Sequence, residues 1–324
     1  MATSSLGRHA DVVATRGAGN YIAAAHYRPT AKTAVPVRLP PPQLLEIAGP
    51  DAAAFAHAQF SSDVKALSPA HWQWSAWLSA QGRVRALFRL LRFGDDRFLA
   101  LLSGGSADAL RTGLAPFVLR AKVVMRAIER RAIGGFDGAD AAATIGAVPA
   151  GTALLERDGS VAFAVDGTPR WCMLGAGEAI AIDDAASARW RAGDVAAGIV
   201  ELDESQSERF LPDALGLGRL GAVSVRKGCY PGQEIVARLH FKGGNKRWLH
   251  RVDYVSAAPP ARGIALATPD GAAIGELLNS AETAAGHGVA LATLPELPPG
   301  TILAAAALPG SQFRVISAIG IANA

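Results

Sequence analysis

At 324 residues the chain is long enough to bury a sizeable core in two or three lobes, and with 50% hydrophobic and 19% charged residues it has globular composition. No run approaches the roughly 20 apolar residues needed to cross a bilayer, so a soluble protein with no membrane partner is expected. A net charge of +4 is too small to argue for nucleic acid, and two cysteines, Cys172 and Cys229, are too few for a disulfide scaffold and too far apart for a CxxC site. Their unpaired state suits a reducing, cytoplasmic setting, and neither has His, Asp or Glu neighbours at metal-ligand spacing, so no metal site is expected.

Residues 1–34 carry Arg8, Arg16, Arg28 and Lys32 against Asp11 with no apolar block, and read as a flexible tail rather than a secretory signal. Prolines 36, 40, 41 and 42 mark the start of the folded part. Leu44–Ile47 reads as a strand, Asp51 is placed to cap a helix from Ala52 to about Gln59, and 72–78 and 84–93 read as a hairpin around Ala80-Gln81-Gly82-Arg83. Arg97–Leu102 follows as a strand, Ser106 caps a helix carrying Leu110, Leu114, Phe117 and Val118, and Ala121–Ile128 closes the lobe. Arg83, Arg85, Arg89 and Arg92 of the hairpin read equally as a basic groove or a solvated sheet face.

Strand patterns recur at 131–136, 152–156, 161–165 and 170–174, followed by a helix capped by Asp183 or Asp184 and running through Trp190. Two α+β lobes are therefore expected, over about 35–130 and 131–245. From 246 to 324, short apolar stretches broken by Pro and Gly turns predict a small antiparallel β-barrel.

Residues 219–251 stand apart. Eight Lys or Arg (Arg219, Arg226, Lys227, Arg238, Lys242, Lys246, Arg247 and Arg251) face Glu234 alone, a local balance of +7. Such clustering is a footprint for an anionic partner. Ala222–Val225 reads as a short strand, Gly228 and Pro231-Gly232 as turns, and Ile235, Val236 and Leu239 as one face of a helix. The Lys227-Gly228-Cys229-Tyr230-Pro231-Gly232-Gln233-Glu234 segment then sits where free helix N–H groups and Lys227 would favour a thiolate at Cys229. Composition alone leaves Cys229 equally readable as a buried packing residue.

The KGCYPGQE segment, followed by VARLHFKGGNKR and preceded by FLPDALGLGRLGAVSV, closely resembles the signature of the YgfZ-type folate-binding proteins, relatives of the glycine-cleavage aminomethyltransferase. LLEIAGPDAAAFAHAQFSSDV resembles the first strand–helix unit of the same family more loosely. The resemblance implies folate-binding lobes with a C-terminal barrel, tetrahydrofolate or a derivative as ligand, and a role supporting iron–sulfur enzymes or assembly proteins, including enzymes that thiolate tRNA. It implies a stacking role for Trp190, 39 residues before Cys229, and a ligand site drawing on Trp190, Lys227, Cys229, Tyr230, Gln233 and Glu234. In that reading Cys229 is the functional thiol, and Lys227 tunes it or holds ligand carboxylates.

The chain departs from its enzyme relatives where these carry a catalytic aspartate. The matching stretch is Gly82-Arg83-Val84-Arg85-Ala86, without a carboxylate, and Ala196 stands where they place a pterin-contacting glutamate. Pro41-Pro42 occupies the place of a tryptophan common in bacterial members. Aminomethyl transfer is therefore not expected, although a one-carbon transferase using another carboxylate, or an RNA platform on 219–251, are the alternatives.

Overall fold

The computed structural model describes residues 36–165, 167–175 and 183–320, so the expected tail over 1–34 lies outside the described residues. A two-residue strand, β1 (Val37–Arg38), precedes the first lobe, which contains β2 (Leu44–Ala48), α1 (Ala52–Gln59), β3 (His71–Leu78), β4 (Val84–Arg92), β5 (Arg97–Leu102), α2 (Ala107–Leu114) and β6 (Val124–Ile128). Its strands form an antiparallel sheet in the order β3-β4-β5-β2-β6. Strand alternation divides the side chains between two cores. Leu45, Ile47, Phe88, Leu90 and Phe98 pack on Phe55 of α1 and Leu110 and Leu114 of α2. Leu44, Trp72, Trp74, Leu87, Leu91 and Leu101 face the other way, into a core shared with the rest of the chain.

The Ser106 hydroxyl accepts from the Ala109 N–H at 3.2 Å, and Pro116 lies in a 3-10 turn that ends α2. Asp51 precedes α1 but does not cap it with its side chain. Its carboxylate accepts instead from the Lys122 N–H at 2.7 Å, tying the start of α1 to the run into β6.

The second lobe contains β7 (Arg131–Gly135), α3 (Gly138–Ile145), β8 (Leu155–Arg157), β9 (Ser160–Ala164), β10 (Trp171–Gly175) and α4 (Asp184–Ala196), with sheet order β1-β7-β10-β9-β8. Asp183 caps α4 by accepting from the Ala186 N–H at 3.0 Å. Helix α3 is absent from the sequence reading, because its Ala-rich GADAAATI run looks like turn punctuation. Asp137 starts it by accepting from the Asp140 N–H at 3.0 Å, Gly146 ends it in the left-handed conformation, and Ala141 buries against Ile133 and Trp171. The opposite face of this sheet sends Ala132, Phe163, Cys172 and Leu174 into the shared core, where they meet Trp72 and Trp74.

After α5 (Gln233–Lys242) come β11 (Trp248–Val255), β12 (Ala265–Ala267), β13 (Ala273–Ala284), β14 (His287–Leu294), β15 (Ile302–Leu303) and β16 (Gln312–Ile319). They pair antiparallel in the order β12-β13-β14-β11-β16-β15, and reciprocal backbone bonds between Ala267 and Ala304 join the two ends into a nearly closed barrel. Tyr254, Leu277, Leu294 and Phe313 fill it. Leu249, Leu278 and Ile319 point outward into the shared core, which fastens the barrel to the lobes. The architecture is thus α+β with a terminal antiparallel barrel. Among the described residues no helix is long and apolar enough to cross a membrane.

Candidate ligand site between the lobes

The basic loop is built differently from the expected strand-to-helix turn. Residues 222–225 form no strand. Ser224 makes one backbone bond to Ser61 at 2.8 Å, and its hydroxyl accepts from the N–H groups of Arg226 and Lys227, so the chain turns there instead of pairing along a ladder. The Ser61 hydroxyl donates to the Ala222 carbonyl at 2.7 Å and fixes the approach.

Lys227 is only 6% exposed. Its ammonium donates to the carbonyls of His57, Phe60 and Ser62, the last at 3.1 Å, where α1 ends and carbonyls lack helical partners. Burial holds its pKa down to about 8, and the ammonium lies 4.9 Å from the Tyr230 ring centre. All three donors of the cation are therefore engaged in clamping the loop onto the first lobe, and they point at backbone oxygens rather than at Cys229.

Tyr230 is buried, its phenol pushed up to about 12 by burial, and its hydroxyl has no hydrogen-bond partner among the described residues. The Gln233 amide donates to the Lys227 carbonyl at 3.3 Å, while Cys229 and Glu234 stand exposed. The start of α5 is set by Gly232, which rests directly on Gly82 in the turn between β3 and β4.

Trp190 lies elsewhere on the shared core. Its ring covers Gly134, where a Cβ would come within 2.5 Å of it, and meets Phe136 at 6.0 Å with edge-on geometry. The Arg170 guanidinium lies 4.6 Å from its ring centre and donates to its carbonyl at 2.9 Å. Ring and bond contacts of Trp190 go to the second lobe, and those of Tyr230 to Lys227.

Arg170 leads to a group the sequence reading did not single out. It forms a buried ion pair with Asp194 at 2.9 Å, approaching closely because Gly193 has no side chain in its path. Burial raises the pKa of Asp194, with Arg170 and Arg89 opposing the rise. Arg89 is directly opposite Trp74 in the β3–β4 ladder, with its guanidinium 4.2 Å from the Trp74 ring and 5.5 Å from that of Trp72. Trp72 in turn meets Phe163 of the second lobe at 6.0 Å. The Arg170–Asp194 pair is thus buried against the Trp190 ring, and the half-buried Arg89 guanidinium, held over Trp74, lies close enough to act on the Asp194 carboxylate.

Asp194 lies one helical turn from Trp190 on α4, and a charge on that inward face is the signal that would have found the pair. The other hairpin arginines turn to local partners: Arg83 to the Arg209 carbonyl at 2.6 Å, Arg85 to Glu208 at 2.7 Å, and Arg92 to Leu67 and Asp95. They form no open basic groove.

Gln206 is fully buried on the segment that runs beside the start of β4, where the Glu208 N–H donates to the Val84 carbonyl. Neither end of its amide has a hydrogen-bond partner among the described residues, nor does the buried indole N–H of Trp72. Such orphaned groups are costly unless something else satisfies them. Two clefts among the described residues lie apart from these groups. One, about 300 Å³, is lined by Arg191, Glu201, Arg262 and Asn279, and the other, about 340 Å³, by Thr144, Ile145, Leu155 and Met173. Among the described residues no three His, Cys, Asp or Glu gather as a metal-ligand set.

Comparison with known proteins places this geometry among relatives. The chain is 32% identical over 221 residues to the tRNA-modifying protein YgfZ of Edwardsiella ictaluri (strain 93-146), a match covering 63% of this chain and 66% of that one. It is 30% identical over 235 residues to the tRNA-modifying protein YgfZ of Klebsiella pneumoniae (strain 342), covering 68% of this chain and 72% of that one. The match thus spans about two thirds of the first relative's length. Its fold is similar to the crystal structure of glycine cleavage system aminomethyltransferase T from Bartonella henselae, with a TM-score of 0.67 and 18% identity over 88% of this chain and 86% of that one. No family model matches the chain.

Proposed function

The chain belongs to the YgfZ family, and on that premise we propose that it is a cytoplasmic folate-binding accessory protein acting in support of iron–sulfur enzymes, among them enzymes that thiolate tRNA. The ligand in this reading is tetrahydrofolate or a derivative, seated where the two lobes face each other. The observation that carries it is the group of Arg89, Arg170 and Asp194 among Trp72, Trp74 and Trp190. The guanidinium groups of Arg89 and Arg170 are suited to the ligand's glutamate carboxylates, and the half-buried indole of Trp190 offers a flat face for its aromatic rings.

The buried polar atoms fit the same group. A pterin edge presents a donor beside an acceptor, which is what the unbonded amide of Gln206 would complement, and the indole N–H of Trp72 supplies a further donor. Lys227 serves this site by position: it locks the 227–234 loop onto α1 and sets Tyr230 against the shared core, with Gln233 bracing the loop from the helix start. Cys229 is the exposed thiol of the site, available to a protein partner. Glu234, exposed in the first turn of α5, flanks it and favours the helix N-terminus.

Aminomethyl transfer is not part of the proposal. Arg85 and Ala86 stand where the enzyme relatives carry a carboxylate, and Arg85 is paired with Glu208. The Glu208 carboxylate there is engaged by Arg85 rather than left to stabilise developing positive charge or relay a proton. Isothermal titration of the full-length protein with tetrahydrofolate tests the binding: saturable one-site binding is expected, and none at high micromolar protein overturns it. Turnover with a lipoyl carrier protein and an aminomethyl donor would instead establish the transferase alternative.

A further inference from the structure

Several cations of the fold are matched to carboxylates: Arg85, Arg97, Arg111, Arg170 and Arg314 each lie within 3.1 Å of one. The end of α5 differs. Arg238, Lys242 and Lys246 are exposed, and none of them forms an ion pair among the described residues. Glu234 is the only acidic residue between Asp213 and Asp253.

Among these cations stands Phe241, 73% exposed. Arg238, Phe241 and Lys242 are spaced i, i+3 and i+4, so they are neighbours on one side of the helix. The His240 ring meets Phe241 edge-on at 4.9 Å and steadies it. Lys242 complements the helix dipole in the last turn, which accounts for its charge but not for a phenyl ring left in water. Gly243 and Gly244 follow with φ of +68° and +97°, and no atom lies within 4 Å of where their Cβ atoms would be, so the backbone there is open to a close approach.

We propose that this end of α5 binds single-stranded RNA, with Arg238, Lys242 and Lys246 on phosphates and an unstacked base on Phe241. Unpaired cations around one solvent-facing ring are the elements single-strand binding uses. An acidic polypeptide would engage the cations and have no use for the ring. A membrane surface would want an apolar stripe, but Val236 is buried and Ile235 and Leu239 are partly covered, leaving Phe241 as the single exposed apolar residue of α5. This surface is independent of the folate reading, since none of its residues belongs to the group between the lobes.

The test is fluorescence anisotropy of the full-length protein with a short fluorescein-labelled single-stranded RNA of mixed sequence. Three phosphate contacts predict a slope of about −2 in log affinity against log salt. Phe241→Ala is expected to weaken binding roughly five-fold or more with the slope unchanged, and Phe241→Tyr to restore it. Arg238→Gln with Lys242→Gln should cut the slope to about −0.7. The proposal is overturned by absence of saturable binding at low salt. It is equally overturned by polyglutamate binding as tightly as RNA with no effect of Phe241→Ala, or by phosphatidylserine vesicles, and not RNA, showing the dependence on Phe241.

Discussion

Gly232 rests on Gly82 so closely that a Cβ built on Gly232 would stand 2.6 Å from the Gly82 Cα and 2.4 Å from the Ser79 carbonyl oxygen. Both glycines are left-handed, with φ of +78° and +72°. The start of α5 and the β3–β4 turn therefore meet backbone to backbone, and this contact sets where the 227–234 loop lies against the first lobe. Gly232→Ala adds both a clash and a backbone penalty, with an expected loss of roughly 2–4 kcal/mol. Gly228, four residues earlier, has open space around it, and Gly228→Ala should cost less than about 0.5 kcal/mol. Urea unfolding midpoints of the two variants check the contrast.

Replacing Lys227 by Met leaves the carbonyls of His57, Phe60 and Ser62 without their donor, and a loss of about 2–4 kcal/mol at neutral pH is expected. The pH dependence has a definite sign. The folded chain releases the Lys227 proton near pH 8, whereas the unfolded chain holds it to about 10.5. Within that window the unfolded state binds more protons, so this residue makes unfolding free energy rise with pH. The difference between the wild-type protein and Lys227→Met should accordingly be flat below pH 8 and grow above it. Paired urea titrations across this range read it out.

Asp194→Asn keeps the shape of the buried pair and, like protonated Asp194, carries no charge, so it removes the Arg170 counter-charge together with the burial cost of the carboxylate. Burial raises the folded-state pKa of Asp194 above the ordinary carboxylate value, so its contribution is fully present below that ordinary value and is lost as pH rises through the raised one. The asparagine variant lacks this component. Its unfolding free energy should match that of the wild-type protein most closely on acidification and exceed it most at neutral pH, as measured by chemical denaturation.

The two thiols should separate cleanly in native alkylation. Cys229 is exposed, whereas Cys172 on β10 is buried in the shared core with its thiol pushed up to about 12 by burial. Iodoacetamide is expected to add one carbamidomethyl group at Cys229 in the folded protein and a second only after denaturation, as intact mass would show. In a strain lacking the chromosomal copy, Cys229→Ala should lower iron–sulfur enzyme activity. Unchanged activity would remove the thiol from the function.

Much of the fold is legible in the chain because strand alternation and the caps at Ser106 and Asp183 act locally. The eight-residue KGCYPGQE run carries the family without help from structure. What is not legible depends on distant partners. Nothing local tells that Lys227 will reach carbonyls about 170 residues upstream, that Ala222–Val225 will have a single crossing bond in place of a ladder, or that Asp51 will turn to Lys122. The buried pair and its neighbour are harder to see for the same reason: Arg89 lies on β4, Arg170 just before β10 and Asp194 on α4, and only the place of Asp194 one turn from Trp190 hints at them.

The crystal structure of the protein grown with saturating tetrahydrofolate tests the central claim most directly. A pterin is expected between the lobes, within hydrogen-bonding distance of the Gln206 amide, with its glutamate carboxylate near Arg89 or Arg170. A ligand bound elsewhere, or none despite saturation, would contradict that claim.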